Sequence, residues 1–201
     1  MPSRIEDYGL IGNTFTSALV SRSGSIDWLC APRFDSDACF TALVGYDEHG
    51  RWSLFPTATV RENRQRYRDD TMILETEFAC DGGVARVIDF MPMSGRCDVV
   101  RIIEGVDGEV PLEMLLDVRF GYGADTPFIE KIGDGVCFLS GPDALILRTP
   151  VALEQSGRRV SAYFRVKKGD RIPMQLTWLA SHEEPPAAAD VEQALASTEQ
   201  F

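Results

Sequence analysis

Glu109 to Phe120 reads EVPLEMLLDVRF. Val110, Leu112, Met114, Leu116, Val118 and Phe120 fall on one side of an extended chain, and Glu113, Asp117 and Arg119 on the other. A period of two is the pattern of a β-strand with one buried and one solvated face. The same period returns in TMILETEF (71–78), where Met72, Leu74 and Phe78 oppose Glu75 and Glu77. It recurs at Val160, Ala162, Phe164 and Val166, and at Ile172, Met174, Leu176, Trp178 and Ala180. Between such runs lie SRSGS (21–25), CDGG (80–83), VDGE (106–109), IGDG (132–135), SGPDA (140–144) and KKGD (167–170). Glycine there supplies the left-handed backbone, and Asp or Pro starts a reversal. Many short strands joined by tight turns predict an all-β fold: a large antiparallel β-sandwich of ten or more strands.

The period is lost at the end of the chain. In HEEPPAAADVEQALASTEQF (182–201) the Pro pair breaks the sheet, and Ala188, Val191 and Leu195 take helical spacing. One short amphipathic helix with little of its own to bury reads as a connector. The expected organisation is a sandwich over 1–184 and the start of a helical interdomain linker over 185–201, in a protein continuing past Phe201.

Composition narrows the partners. The 31 acidic against 20 basic residues leave a net charge of −11, which repels nucleic acid and anionic membranes. The five cysteines are scattered and form no CxxC pair, so they read as buried thiols in a reducing compartment rather than as a zinc site. MPSRIEDYGLIG lacks the apolar core of a signal peptide, and no run has the length of a membrane span. A cytoplasmic protein without metal or cofactor is expected.

Candidate chemistry is sparse. His49 and His182 are the two histidines, too few for most histidine-based schemes, and both fall in turn regions. Asp47, Glu48 and His49 are adjacent and cannot all converge on one ion. GYGAD (121–125) and GDG (133–135) lie between strands instead of ahead of a helix, so neither is a phosphate cradle. The acids of GSIDWLCAPRFDSDACF (24–40) raise the question of a carboxylate pair. Asp27 falls within the strand-like SIDWLC, whereas Asp35 and Asp37 read as turn-formers that cap backbone amides. RENRQRYR (61–68) reads as a charged edge strand that discourages sheet-to-sheet pairing.

The first fifty residues carry a more specific signal. Tyr8–Asn13, Ala18–Ser21, Gly24–Ser36 and Phe40–Gly45 reproduce in order a Y-x-L-I-G-N segment, a strand, a G-S-I-D-W-L-C-x-P-R-F-D-S segment and a short F-x-x-L-L-G helix. Gly50, Trp52, Leu54 and Pro56 continue as G-x-W-x-L-x-P, and IDFMPM (88–93) adds a further match. This pattern resembles the N-terminal domain of trehalase-like and glucoamylase-like enzymes of glycoside hydrolase family 15. Ala31 and Ser23 are small departures. The resemblance implies a super-sandwich that precedes a helical linker and an α/α barrel. The barrel would hydrolyse α-glucosidic bonds, of trehalose or α-glucan oligosaccharides, with inversion through two glutamates. No residue here matches those glutamates, so no catalytic residue is assigned in this chain. The implied role is to buttress the barrel, with the Pro32–Asp37 loop at the active-site rim. There Arg33, Phe34 and Asp35 would contact the sugar or the barrel. Two other readings stay open: a stand-alone carbohydrate-binding module, and a scaffold or homo-oligomerisation domain. Trp28, Trp52 and Trp178 offer sugar-stacking rings to the first, although their strand settings favour burial.

Overall fold

In the computed structural model, residues 3–201 are described. The strands are β1 (Tyr8–Gly12), β2 (Ser17–Ser21), β3 (Ser25–Cys30), β4 (Ala38–Phe40), β5 (Arg51–Pro56), β6 (Val60–Tyr67), β7 (Leu74–Cys80) and β8 (Gly83–Phe90). They continue with β9 (Asp98–Asp117), β10 (Phe128–Ile132), β11 (Gly135–Ser140), β12 (Asp143–Arg148), β13 (Glu154–Ser156), β14 (Arg159–Lys167) and β15 (Arg171–Ala180). One α-helix, α1 (Val191–Glu199), follows; the short helix expected over Phe40–Gly45 is instead the end of β4 and a turn closed by the Val44 amide on the Thr41 carbonyl. Every strand pairing is antiparallel.

The strands form two layers that share β9. Its C-terminal half lies between β5 and β14, and that layer runs β1-β2-β3-β5-β9-β14-β13 with β4 beside β3. Its N-terminal half lies between β8 and β15, in a layer ordered β6-β7-β8-β9-β15-β12-β11-β10. Val110, Leu112, Met114, Leu116 and Val118 are buried, as their alternation predicts. They share one cluster with Trp52, Leu54, Phe78, Val87, Leu147 and Leu176 from both layers. Burying a side chain of this size contributes about 1.5–3 kcal/mol, so the interlayer core dominates the fold.

Five of the six turn signals join consecutive strands; VDGE does not. The chain runs through it as one strand of 20 residues, with a bulge against β8 between Val84 and Ala85. Gly108 takes φ +60°, and a Cβ there would lie 2.1 Å from the Gly82 carbonyl. At Gly105 a Cβ would lie 1.9 Å from the Lys167 carbonyl. These glycines let backbones touch where the strand passes from one layer to the other, a need that leaves the same Asp-Gly signature as a hairpin.

Charge also enters the interior. Arg101 on β9 and Asp89 on β8 are fully buried and paired, Nε to Oδ1 at 2.7 Å. Arg101 also donates to the Trp52 and Gly24 carbonyls at 2.9 Å each, and its guanidinium carbon lies 5.2 Å from the Trp52 ring centroid.

The helix begins at Val191, three residues after Ala188, because the Asp190 carboxylate caps it by accepting from the Glu192 and Gln193 amides at 3.1 Å. Leu195 packs on the outer face of the second layer against Ile73, Ile88, Phe90, Val100 and Ile102. Arg171 with Glu192, and Arg68 with Glu199, pin its two ends.

RENRQRY lies on β6 and Arg68 just past its end; β6 pairs with β7 alone among the described strands. The arginines of this run meet acids: Arg61 with Asp81, Arg64 with Glu62, Arg66 and Arg68 with Glu75. The Tyr67 hydroxyl accepts from the Leu10 amide and donates to the Leu10 carbonyl, tying this edge to β1 in the other layer.

Candidate functional site

The connections after β1, β3, β4 and β8 and the segment after β15 gather at one end of the sandwich, because their strands share registers there. Ala18 pairs with Leu29, Arg51 with Asp117, and Thr177 with Asp98. The Asn13 side chain joins two of these loops, donating to the Arg96 carbonyl at 2.8 Å and accepting from Phe15 and Thr16 amides.

Asp27 is not part of an exposed acid cluster. It is buried, and it accepts from the Tyr8 hydroxyl at 2.6 Å and the Ser25 hydroxyl at 2.5 Å. Burial and the adjacent Asp27 carboxylate together push the Tyr8 phenol upward. The Tyr8 and G-S-I-D-W segments therefore meet in a hydrogen-bonded joint. Asp35 and Asp37 are exposed loop residues. With one acid buried under Tyr8 and two in solvent, these three carboxylates do not frame a common pocket.

Arg33, Phe34 and Asp35 lie on the loop after β3, which opens with a cis Ala31–Pro32 bond. Arg33 Nε and Asp35 Oδ1 are 3.0 Å apart, and this hydrogen bond holds the Asp35 carboxyl below the usual carboxylate range. The Phe34 amide donates to the Phe15 carbonyl at 3.0 Å. Both phenyl rings remain in water, 59% exposed at Phe34 and 48% at Phe15.

A depression lies on each side of this loop. A groove of about 1170 Å³ is lined by Leu10, Phe34, Asp69, Met72, Glu199 and Phe201 among others. A smaller one, about 340 Å³, includes Phe15, Arg33, Arg96, Trp178 and Glu183. The first is apolar with an acidic lip, and suits a protein surface better than a tightly held small molecule.

The tryptophans give little to a sugar. Trp52 is wholly buried under Arg101, which removes it from any stacking surface. Trp178 is half-buried and its indole N–H donates to Asp143 Oδ1 at 2.9 Å. Trp28 is half-buried in β3.

Neither histidine sits in a nucleophile–His–acid arrangement. His49 Nδ1 accepts the Tyr46 amide at 2.8 Å, and His182 is exposed. Of the Asp47–His49 run, the Asp47 side chain lies outside the described residues. Among those described, no three His, Cys, Asp or Glu side chains are placed to hold a metal ion. Among the described residues no helix is long and apolar enough to cross a membrane.

Two tyrosines that the sequence reading passed over stand at the same end. Tyr46 is 71% exposed and Tyr122 55% exposed. Tyr122 has φ +56° between Gly121 at +58° and Gly123 at +93°. Gly123 abuts His49, since a Cβ there would lie 3.2 Å from its imidazole Cδ2, and His49 packs on Tyr46 at 5.7 Å between ring centroids. The signal available beforehand was the Gly-Tyr-Gly sequence itself, an aromatic set where Asn or Gly is the ordinary choice.

With the geometry in place, known proteins supply the relationships. Residues 1–192 match the family described as trehalase-like, N-terminal. A trehalase of Thermoplasma volcanium is 30% identical over 183 residues, covering 88% of this chain and 29% of the relative. Trehalase 1 of Sulfolobus acidocaldarius is 38% identical over 66% of this chain and 22% of its own length. A trehalase of Mycobacterium tuberculosis is 28% identical over 92% of this chain and 31% of its own. The chain thus spans less than a third of the length of these curated relatives. It belongs to the trehalase-like N-terminal domain family of glycoside hydrolase family 15 enzymes.

Proposed function

We propose that this chain is the non-catalytic N-terminal β-sandwich of a cytosolic glycoside hydrolase that cleaves α-glucosidic bonds, of trehalose or α-glucan oligosaccharides, with inversion. In this reading residues 1–184 form the sandwich and 185–201 begin the path to a catalytic α/α barrel. The loop end faces the barrel. Phe34 is the anchor that enters it, and the Arg33–Asp35 pair supplies hydrogen bonds to the barrel or to sugar hydroxyls at the rim.

The observation that carries this reading is the pair of solvent-exposed phenyl rings at the loop end, Phe34 lining the apolar groove and Phe15 the smaller depression. Large rings left in water at a loop end are characteristic of a surface that another protein surface covers. The coverage of under a third of each trehalase relative leaves room for that second surface in the same protein.

Co-production of this chain with the region encoded downstream tests it. The chain alone is expected to hydrolyse neither trehalose nor maltose, whereas together they give a soluble complex with glucosidase activity. Phe34→Ala is expected to weaken the complex, and Arg33→Ala to change turnover or melting of the assembled enzyme. Activity of this chain alone would overturn the reading, as would a downstream region equally stable and active without it.

A further inference from the structure

We propose that the Tyr46–Tyr122 face is a binding site for a neutral pyranose sugar. The two phenol rings are its stacking surfaces, and His49 and Asp125 its hydrogen-bonding groups.

The backbone gives no reason for an aromatic residue at position 122. The turn needs φ +56° there and one amide to donate to the Ala38 carbonyl, and glycine meets both requirements without strain. A tyrosine holds this costly conformation while its ring stays largely in water. Strain retained at an exposed side chain points to use of that side chain. Tyr46 also leaves its ring in water, on ordinary extended backbone at φ −123°, and the imidazole of His49 lies between it and Gly123.

The polar groups suit hydroxyls. His49 Nδ1 already accepts a backbone amide, so the neutral ring carries its proton on Nε2, which is left as a donor. The Asp125 carboxylate lies over the turn, one oxygen 2.9 Å from where a Gly121 side chain would start. No side-chain hydrogen bond or ion pair engages that carboxylate among the described residues. A donor and an acceptor on the loops that carry the two exposed rings suit a sugar ring, whose C–H face is apolar and whose edge carries hydroxyls.

The Asp125 carboxylate and a net charge of −11 disfavour an anionic ligand, while Arg119 is engaged with the turn through a guanidinium N–H on the Gly123 carbonyl at 2.6 Å. The choice of α-linked glucose as the sugar rests on the function proposed above; the platform itself does not. An open platform buries one face of its ligand, so affinity is expected at about the millimolar level.

The test is a titration of the 201-residue chain with trehalose, maltotriose and cellotriose, followed by amide NMR shifts. Saturable shifts confined to 41–50 and 119–125 are expected with trehalose or maltotriose. Tyr46→Ala and Tyr122→Gly are each expected to weaken binding about tenfold, equivalent to about 1.4 kcal/mol. Tyr122→Gly separates function from folding, because it relieves the turn and is expected to melt no lower than the parent. The proposal is overturned by no saturable binding of either α-glucoside, by preference for cellotriose, or by affinity unchanged in both variants. Tyrosines that anchor a protein partner instead would leave the titration silent. That result leaves the co-production experiment above unaffected, so the two proposals fail separately.

Discussion

Arg101 Nε lies 2.7 Å from Asp89 Oδ1 in the middle of the sandwich, with both side chains wholly out of solvent. The guanidinium reaches from the second layer to carbonyls of Trp52 and Gly24 in the first, so each of its three nitrogens donates to a buried acceptor. Burial pushes the Asp89 carboxyl upward and Arg101 opposes that shift. Asp89→Ala is expected to destabilise by about 3–5 kcal/mol, because it strands a buried cation. The double variant Asp89→Leu, Arg101→Met is expected to recover much of that loss in urea unfolding. A double variant no more stable than Asp89→Ala would show that the bonds from Arg101 to Trp52 and Gly24, which cross between the layers, stabilise the fold more than the ion pair within one layer does.

Tyr8→Phe tests the joint between the two most distinctive sequence segments. It removes one donor from a buried carboxylate and leaves Ser25 as the other. The expected cost is about 1–3 kcal/mol at unchanged secondary structure, measured by denaturant unfolding with circular dichroism.

Glu75 gives the acid side of the stability curve. Burial alone raises its carboxyl, but hydrogen bonds from Arg68 and Arg66 outweigh that and leave it lowered. A lowered carboxyl stabilises the fold above its unfolded-state pKa, and that contribution fades as pH falls through the folded-state value. The stability difference between the parent and Glu75→Gln is therefore expected to be full at neutral pH and to shrink below about pH 4. A difference that grows on acidification contradicts the assignment.

Leu195→Ala is expected to undock α1, costing about 2–5 kcal/mol for that packing, with loss of amide protection over 191–199. The strands beneath are expected to keep theirs. Uniform loss across the sheet would make the helix part of the core.

Much of the fold was legible because period-two alternation depends only on which face meets water. Val110 to Val118 and Ile172 to Ala180 announce themselves in this way. The stretch from Val99 to Ile103 does not alternate, because α1 covers the face that Val100 and Ile102 present. The helix start moved to Val191 because the Asp190 cap outweighs the alanines before it. The passage of β9 between layers was hidden, since Asp-Gly marks both a hairpin and a bulge. At the candidate site, Arg33, Phe34 and Asp35 were proposed through resemblance, and the Arg33–Asp35 contact needed coordinates. Tyr46 and Tyr122 escaped because exposure is a tertiary property that neighbouring residues do not encode.

Gly108→Ala follows from the geometry of β9. The new Cβ would meet the Gly82 carbonyl at 2.1 Å on a backbone that disfavours any side chain, and a loss above about 2 kcal/mol is expected in thermal melting. A variant that melts with the parent would refute the close approach.

Because one strand is the spine of both layers, the molecule has no seam along which to come apart by halves. Either layer, freed from the other, would lose a central strand and be left with two raw edges. Unfolding is therefore expected to be a single event for both layers, with amides on either side of Gly108 exchanging through the same global opening. The bend at 105–108 makes the two faces of the sandwich one inseparable piece of architecture.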